Sequence, residues 1–343
     1  MTFWKRLTRQ PQSFRVRKAL FQVHLWTGIG VGIYVAFISI TGSLLVYRPQ
    51  LAKRFYRDPP IVARAGQRLT NSQLTEAAQH AYPGYEVTEV RESTATGRAA
   101  TLFLTRDGAT KQRLFNPYTG ADIGDAVPWE YRCLTWLMDF HDHLLLEETG
   151  RWLNAAGGGF FILLGLTGCI IWWPGIKNWR RSLTVARKSN WKQFTWQLHS
   201  TLGFWSVALI LLWGISGIYL VFPKPFEVAV DYLEPFDPSL EGLRWGDTVL
   251  YWLARLHFGR FGGLASRVAW IVLGLAPPVL FLSGALMYWN RGFRASKQNA
   301  GFPLRDEWSG QDAEEPLAGM TEAIFTAGKE ENRQGRPTGV AEK

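Results

Sequence analysis

Cysteine is nearly absent: Cys133 and Cys169 are the only two in 343 residues. Cys169 lies inside an apolar run and Cys133 outside one, so no disulfide framework is expected. No Cys-x-x-Cys-His occurs, which excludes covalent c-type haem attachment. No Gly-x-Gly-x-x-Gly follows a strand pattern, so no dinucleotide fold is expected. Gly157-Gly158-Gly159 falls within an apolar run, where small residues let helices approach closely. Charge is missing as well. Four stretches near 25–47, 152–173, 202–222 and 270–289 carry no Lys, Arg, Asp or Glu.

Each stretch is long enough to cross about 30 Å of hydrocarbon as a helix. Seventeen tryptophans are present, and Trp26, Trp152, Trp172, Trp173, Trp196 and Trp289 fall at the ends of runs, where an aromatic belt forms. The net charge of +10 does not point to nucleic acid. Lys and Arg crowd into 1–20, 174–198 and the residues after 290, the segments that would face the cytoplasm. Arg48, Lys53, Arg54 and Arg57 run against that pattern on the outer side. The first run is too long for a signal-peptide core and lacks a small-x-small cleavage site, so it reads as an uncleaved anchor.

Four histidines repeat within this frame. Gly28 follows His24 by four residues and Gly42 by eighteen; Gly203 and Gly217 follow His199 at the same spacings. His141 precedes Gly168 by twenty-seven residues, as His257 precedes Gly284. Imidazole is costly in hydrocarbon, so a duplicated set suggests ligands. His24 and His199 would lie near the cytoplasmic ends of spans 1 and 3, and His141 and His257 at the outer approaches to spans 2 and 4. Facing helices can each offer one imidazole to a metal between them. Bis-histidine haem b, one near each face, explains the pairing and the apolar surroundings. Gly28 and Gly203 would let a flat macrocycle lie against backbone. Zinc wants about four ligands, and neither pair has a further ligand at suitable spacing, although Asp139, Asp142 and Glu147 lie near His141. His143 is the rival to His141; in a helix the two point about 200° apart. His80 reads as a surface residue. Arg151, Arg260 and Arg267 flank the outer histidines, where a guanidinium suits propionates or the membrane edge equally. Thr41-Gly42, Thr167-Gly168, Ser216-Gly217 and Ser283-Gly284 recur once per span and read as packing positions.

The fold expected is an all-α membrane protein: a four-transmembrane-helix bundle from a duplicated two-helix unit, with a small periplasmic α+β insertion. The order is a cytoplasmic segment 1–20, span 1 in 21–48, and a periplasmic module with a surface helix in 49–140. Span 2 and its outer approach follow in 141–174, a cytoplasmic loop in 175–195 and span 3 in 196–222. A periplasmic segment 223–262, span 4 in 263–290 and a disordered cytoplasmic tail 291–343 complete it. Within the module, "LTNSQLTEAAQHAYPG" reads as a capped helix, and three alternating strands follow. Pro277-Pro278 should kink span 4.

The segments "FQVHLWTGIGVG…TGSLLVYRP", "HDHLLLEETGRW…LTGCIIWWPG", "WQLHSTLGFW…SGIYLVFP" and "LHFGRFGG…LSGALMYW" together resemble the PepSY-associated transmembrane helix family. This family includes iron-regulated inner-membrane proteins and ferric-siderophore reductases of the FoxB type. The stretch "FNPYTGADIG" resembles part of a PepSY domain. The resemblance implies two haems b held by His24, His199, His141 and His257. It also implies an inner-membrane oxidoreductase with both termini cytoplasmic, carrying electrons to a periplasmic ferric siderophore. The donor expected is a quinol or a separate cytoplasmic reductase; membrane lipid is a partner and nucleic acid is not. One departure stands out: the family commonly has Gly after the three leucines, and Glu147 stands here. A different class of function is a non-redox PepSY-bearing anchor that binds or regulates a periplasmic partner. A metal-ion or proton pathway ranks last, because mainly Thr, Ser and Tyr lie between the two histidine layers.

Overall fold

The computed structural model describes residues 15–64, 66–92, 97–186, 188–235 and 244–299. Most of the expected N-terminal segment and the expected disordered tail beyond 299 lie outside the described residues. Ten α-helices and four strands are present among the described residues: α1 Arg15–Leu45, α2 Arg48–Phe55, α3 Asn71–Ala81, β1 Glu86–Arg91, β2 Ala100–Arg106, β3 Ala109–Phe115, β4 Asp122–Asp125, α4 Trp129–His143, α5 Glu147–Trp172, α6 Trp191–Val221, α7 Pro223–Leu233, α8 Trp245–His257, α9 Gly263–Gly274 and α10 Ala276–Asn299. Four segments are long and apolar enough to cross a membrane: α1, α5, α6 and Gly263–Asn290. The protein is a multi-pass membrane protein with a small antiparallel sheet. By contacts it divides into two compact units, Thr41–Asn154 with Phe258–Ile271, and the remainder.

The larger unit is built on the four crossing helices, and small residues set their spacing. A Cβ at Gly157 of α5 would run into the Tyr34 ring of α1. Gly158 and Gly214 bring α5 and α6 backbones together, each in reach of the other's carbonyl. A Cβ at Gly32 of α1 would strike Phe281 of α10, and α10 in turn meets α6 at Ser283 and His199. These contacts close a ring in the order α1, α5, α6, α10. The side chains turned outward are apolar, among them Ile33, Phe37, Phe160, Ile170 and Leu282, as lipid requires. α6 begins with a capping box in which Asn190 accepts from the Gln193 N–H and Gln193 answers the Asn190 N–H. The last crossing segment breaks at Leu275, where Pro277 and Pro278 withhold two helix donors, as the sequence predicts.

The smaller unit carries the sheet. Its strands run β1-β2-β3-β4, every neighbour antiparallel. Four strands replace the three expected: the third stretch folds back through a turn closed by the Gly120 N–H on the Asn116 carbonyl. Asp107 and Gly108, both at positive φ, make the two-residue hairpin between β2 and β3. Ala100, Leu102 and Leu104 alternate toward Leu74 and Ala78 of α3, forming the core with Phe115. Thr70 and Gln73 cap α3 reciprocally. Arg113 bridges Asp122 and Asp125 at 2.5 and 2.6 Å, and the Tyr82 hydroxyl donates to Asp122. Segment 223–262, which carried no expected elements, forms α7 and α8.

Candidate functional site

His24 on α1 and His199 on α6 come from helices that are not neighbours in the ring of four. Their imidazoles meet nonetheless, with centroids 6.3 Å apart and planes at 87°. Each is tied from behind by the partner span of its own sequence half. His24 Nδ1 is 3.0 Å from Thr167 Oγ1 on α5, and His199 Nδ1 is 3.0 Å from both Ser283 Oγ and the Leu280 carbonyl on α10. The hydroxyl protons are already committed. Thr167 donates to the Leu163 carbonyl at 2.6 Å and Ser283 to Val279 at 2.7 Å. The imidazole Nδ1–H therefore donates, and a neutral ring keeps its lone pair on Nε2. A carbonyl can only accept, so the Leu280 contact fixes His199 the same way.

The outer histidines follow the same plan. His141 Nδ1 is 3.0 Å from Thr41 Oγ1, and the His257 Nδ1 is 2.7 Å from Ser216 Oγ. Ser216 donates its proton to Leu212 at 2.6 Å. His141 lies on α4 and His257 ends α8, so both sit on separate helices before the crossing segments. They fall in different compact units.

The glycine after each hydroxyl residue makes room for the ring. A Cβ would sit 2.9 Å from His141 Cε1 at Gly42, 3.1 Å from His24 at Gly168, 3.3 Å from His199 at Gly284 and 3.9 Å from His257 at Gly217. The Thr/Ser-Gly pairs are thus histidine seats, where sequence reasoning saw packing. Their recurrence beside a duplicated histidine pattern was the available signal. Gly28 and Gly203 behave differently: their missing Cβ atoms point at Leu164 and Leu280, at 3.8 and 3.6 Å, an ordinary contact distance. The face expected to lie open to a macrocycle abuts these leucines.

His143 is set apart from the seat at Thr41. Its Nε2 is 3.5 Å from Asp139 on the same helix, and its Nδ1 is buried with no hydrogen-bond partner among the described residues. His80 is exposed on α3. A turn of left-handed residues separates α4 from α5, with φ of 54° at Leu144, 60° at Leu145 and 49° at Glu147. A glycine in place of Glu147 would be unstrained at this φ. Asn154 on α5 donates to the His141 and Asp142 carbonyls at 2.7 and 2.9 Å, holding the end of α4.

Among the outer arginines, Arg151 is exposed on α5. Arg260 is half-buried over the Phe258 ring at 4.8 Å, with Nε unsatisfied. Burial, and then the charges of Arg48 and Arg267, hold its pKa below the ordinary arginine value. Such a group favours an anion.

Two opposed imidazoles bonded to one metal at about 2.0 Å place their ring centres roughly 6–6.5 Å apart. The His24–His199 separation of 6.3 Å lies in that range, and both rings have Nδ1 occupied by a protein acceptor. The residues present therefore fit a bis-imidazole metal group, with hydroxyl and carbonyl partners fixing ring orientation as metal-binding histidines require. Among the described residues, no group of three or more His, Cys, Asp or Glu side chains gathers as a metal site. No curated protein is significantly similar to the chain. Residues 21–237 and 233–291 match the family described as PepSY-associated TM region. That match covers all four crossing segments, and the chain belongs to the PepSY-associated TM region family.

Proposed function

We propose that the protein is an inner-membrane, di-haem b oxidoreductase. His24 and His199 would hold one haem iron, and His141 and His257 the other. The observation that carries this reading is the approach of the His24 and His199 rings at 6.3 Å, each with Nδ1 anchored and Nε2 left as the ligating nitrogen. Haem bound in this way supplies one-electron transfer, and two protein ligands per iron favour that over oxygen binding. Thr167, Ser283, Thr41 and Ser216 hold the imidazoles in one tautomer. The apolar outer faces of α1, α5, α6 and α10 keep the site in lipid, and the packed glycines between those helices exclude water. Electrons would pass from a quinol or cytoplasmic reductase at the His24/His199 level to a ferric siderophore at the periplasmic level of His141 and His257. Both termini would then be cytoplasmic and the sheet-bearing module periplasmic. Arg260 and Arg151 suit anionic groups at that outer level.

The test is an absorption spectrum of the detergent-solubilised protein, oxidised and dithionite-reduced, with haem quantified as the pyridine haemochrome. The reading expects about two b haems per chain, each bound by two histidines. His199→Ala should remove one of them. Reoxidation of the reduced protein by a ferric siderophore is measured next. A protein made with ample haem that holds none overturns the redox reading and favours the non-redox anchor.

A further inference from the structure

The end of the larger unit beyond His24 holds donors that no other described residue satisfies. Arg17 and His24 are seven residues apart on α1, roughly 20° short of two full turns. Their side chains therefore leave the same face, about 10.5 Å apart along the axis. Arg17 Nη2 donates to the Ile171 carbonyl in the last turn of α5. Its Nε and Nη1 are buried and have no partner among the described residues. The next residue along, Trp172, buries an indole N–H that is likewise without a hydrogen-bond partner. The Trp172 ring stacks on Phe204 of α6 with centroids 3.9 Å apart and planes at 23°, so this N–H is held in place. Thr167, which seats His24, lies one turn before Ile171 on the same helix.

Two unsatisfied Arg17 nitrogens thus lie about two turns from His24 on the face that carries it, and Trp172, next in sequence to the residue whose carbonyl Arg17 holds, adds a third. Buried donors of this kind are rare unless something accepts from them. A guanidinium fork suits a carboxylate, and an indole N–H on the residue after Arg17's carbonyl partner offers a further donor at the same helix end. The face itself favours the ligand of His24 over a bilayer phosphate, because His24 looks inward to His199 and Arg17 shares its direction.

We propose that Arg17 and the Trp172 indole bind a carboxylate on the ligand that His24 and His199 hold, which for haem is a propionate. The assignment rests on the di-haem reading above and names one edge of that site. In the sequence Arg17 reads as one of the basic residues that set topology and Trp172 as part of the aromatic belt.

The experiment compares haem with its dimethyl ester, whose propionates carry no charge, on full-length protein prepared haem-free and reconstituted. The relevant haem is identified by its loss in His199→Ala. Wild type should release the ester from this site about tenfold faster than haem, the scale of one charge-assisted hydrogen bond. Arg17→Gln and Trp172→Phe should release haem faster than wild type and lose the discrimination. Arg17→Gln should also lower that haem's midpoint potential, because a cation beside it is gone. Trp172→Phe keeps the ring on Phe204 and serves if Arg17→Gln does not fold. Variants that retain wild-type discrimination and potential overturn the Arg17–Trp172 carboxylate contact and leave the two haems standing. Loss of bound phospholipid without loss of discrimination gives the pocket to a lipid phosphate and overturns it too. Protein that takes up neither compound overturns the di-haem reading and the Arg17–Trp172 carboxylate contact together.

Discussion

Alanine at four glycines, introduced one at a time, should produce a graded series. The added methyl would lie 2.9 Å from His141 Cε1 at Gly42, 3.1 Å from His24 at Gly168, 3.3 Å from His199 at Gly284 and 3.9 Å from His257 at Gly217. Carbon atoms rest at about 3.5 Å or more. The rings must therefore retreat by roughly 0.6, 0.4 and 0.2 Å at the first three sites and not at all at the fourth. Metal–ligand distances tolerate about 0.2 Å. Gly42→Ala and Gly168→Ala should strip their histidines of ligation, Gly284→Ala should weaken it, and Gly217→Ala should leave it intact. Stability should follow the same order. Overpacking costs about 1–3 kcal/mol, while replacing a helical glycine gains about 0.5–1 kcal/mol. Gly217→Ala should thus be neutral or stabilising. Thermal unfolding in detergent reads the order with or without haem, and pyridine haemochrome reads ligation. A Gly217→Ala protein as damaged as Gly42→Ala would refute the seat geometry.

Three further outcomes are expected. Thr167→Val and Ser283→Ala each remove the hydroxyl behind one imidazole and should cost a similar amount, about 1 kcal/mol, because each ring keeps a backbone partner, Leu164 for His24 and Leu280 for His199; paired melts compare them. At Glu147, with φ of 49°, valine should unfold more readily than glycine by about 1–2 kcal/mol, read by the same melts. In the sheet module, burial raises the Asp122 carboxyl, but hydrogen bonds from Arg113, Tyr82 and the Gly124 N–H outweigh it and hold its pKa below the usual value. Stability from that group is complete above about pH 4 and is lost as pH falls through the depressed value. Asp122→Asn should flatten this acid limb in a pH series of melts. Burial, then Asp122, pushes the Tyr82 hydroxyl up to about 12, so its share is present below about pH 10 and lost as pH rises through 12.

Much of the frame was legible because lipid imposes a simple pattern. Four uncharged runs gave the crossing helices, and Pro277-Pro278 gave the break at Leu275. The repeat offset separated His141 from His143, and the structure seats His141 on Thr41 while His143 faces Asp139. What hid was whatever depends on pairs far apart in sequence. Thr167 and His24 are 143 residues apart, and nothing local distinguishes a hydroxyl that packs from one that holds a ring. The same is true of Arg17 against Ile171. Residues 223–262 mix prolines with amphipathic stretches, so α7 and α8 escaped notice; β4 is four residues long, too short for alternation to register.

The seats also divide along the chain. His24 with Thr167 and His141 with Thr41 use only the first half of the chain; His199 with Ser283 and His257 with Ser216 use only the second. The 6.3 Å meeting of His24 and His199 joins the two halves, alongside the packing of Gly32 on Phe281 and of Gly158 on Gly214. Such a layout suits vectorial synthesis. The first pair of spans can orient its own two rings on entering the bilayer, before the second pair has been translated, so that docking of the second half becomes the closing event of assembly. A chain severed in the loop before Trp191 should, on the same logic, yield two fragments that find each other through the α1–α10 and α5–α6 contacts.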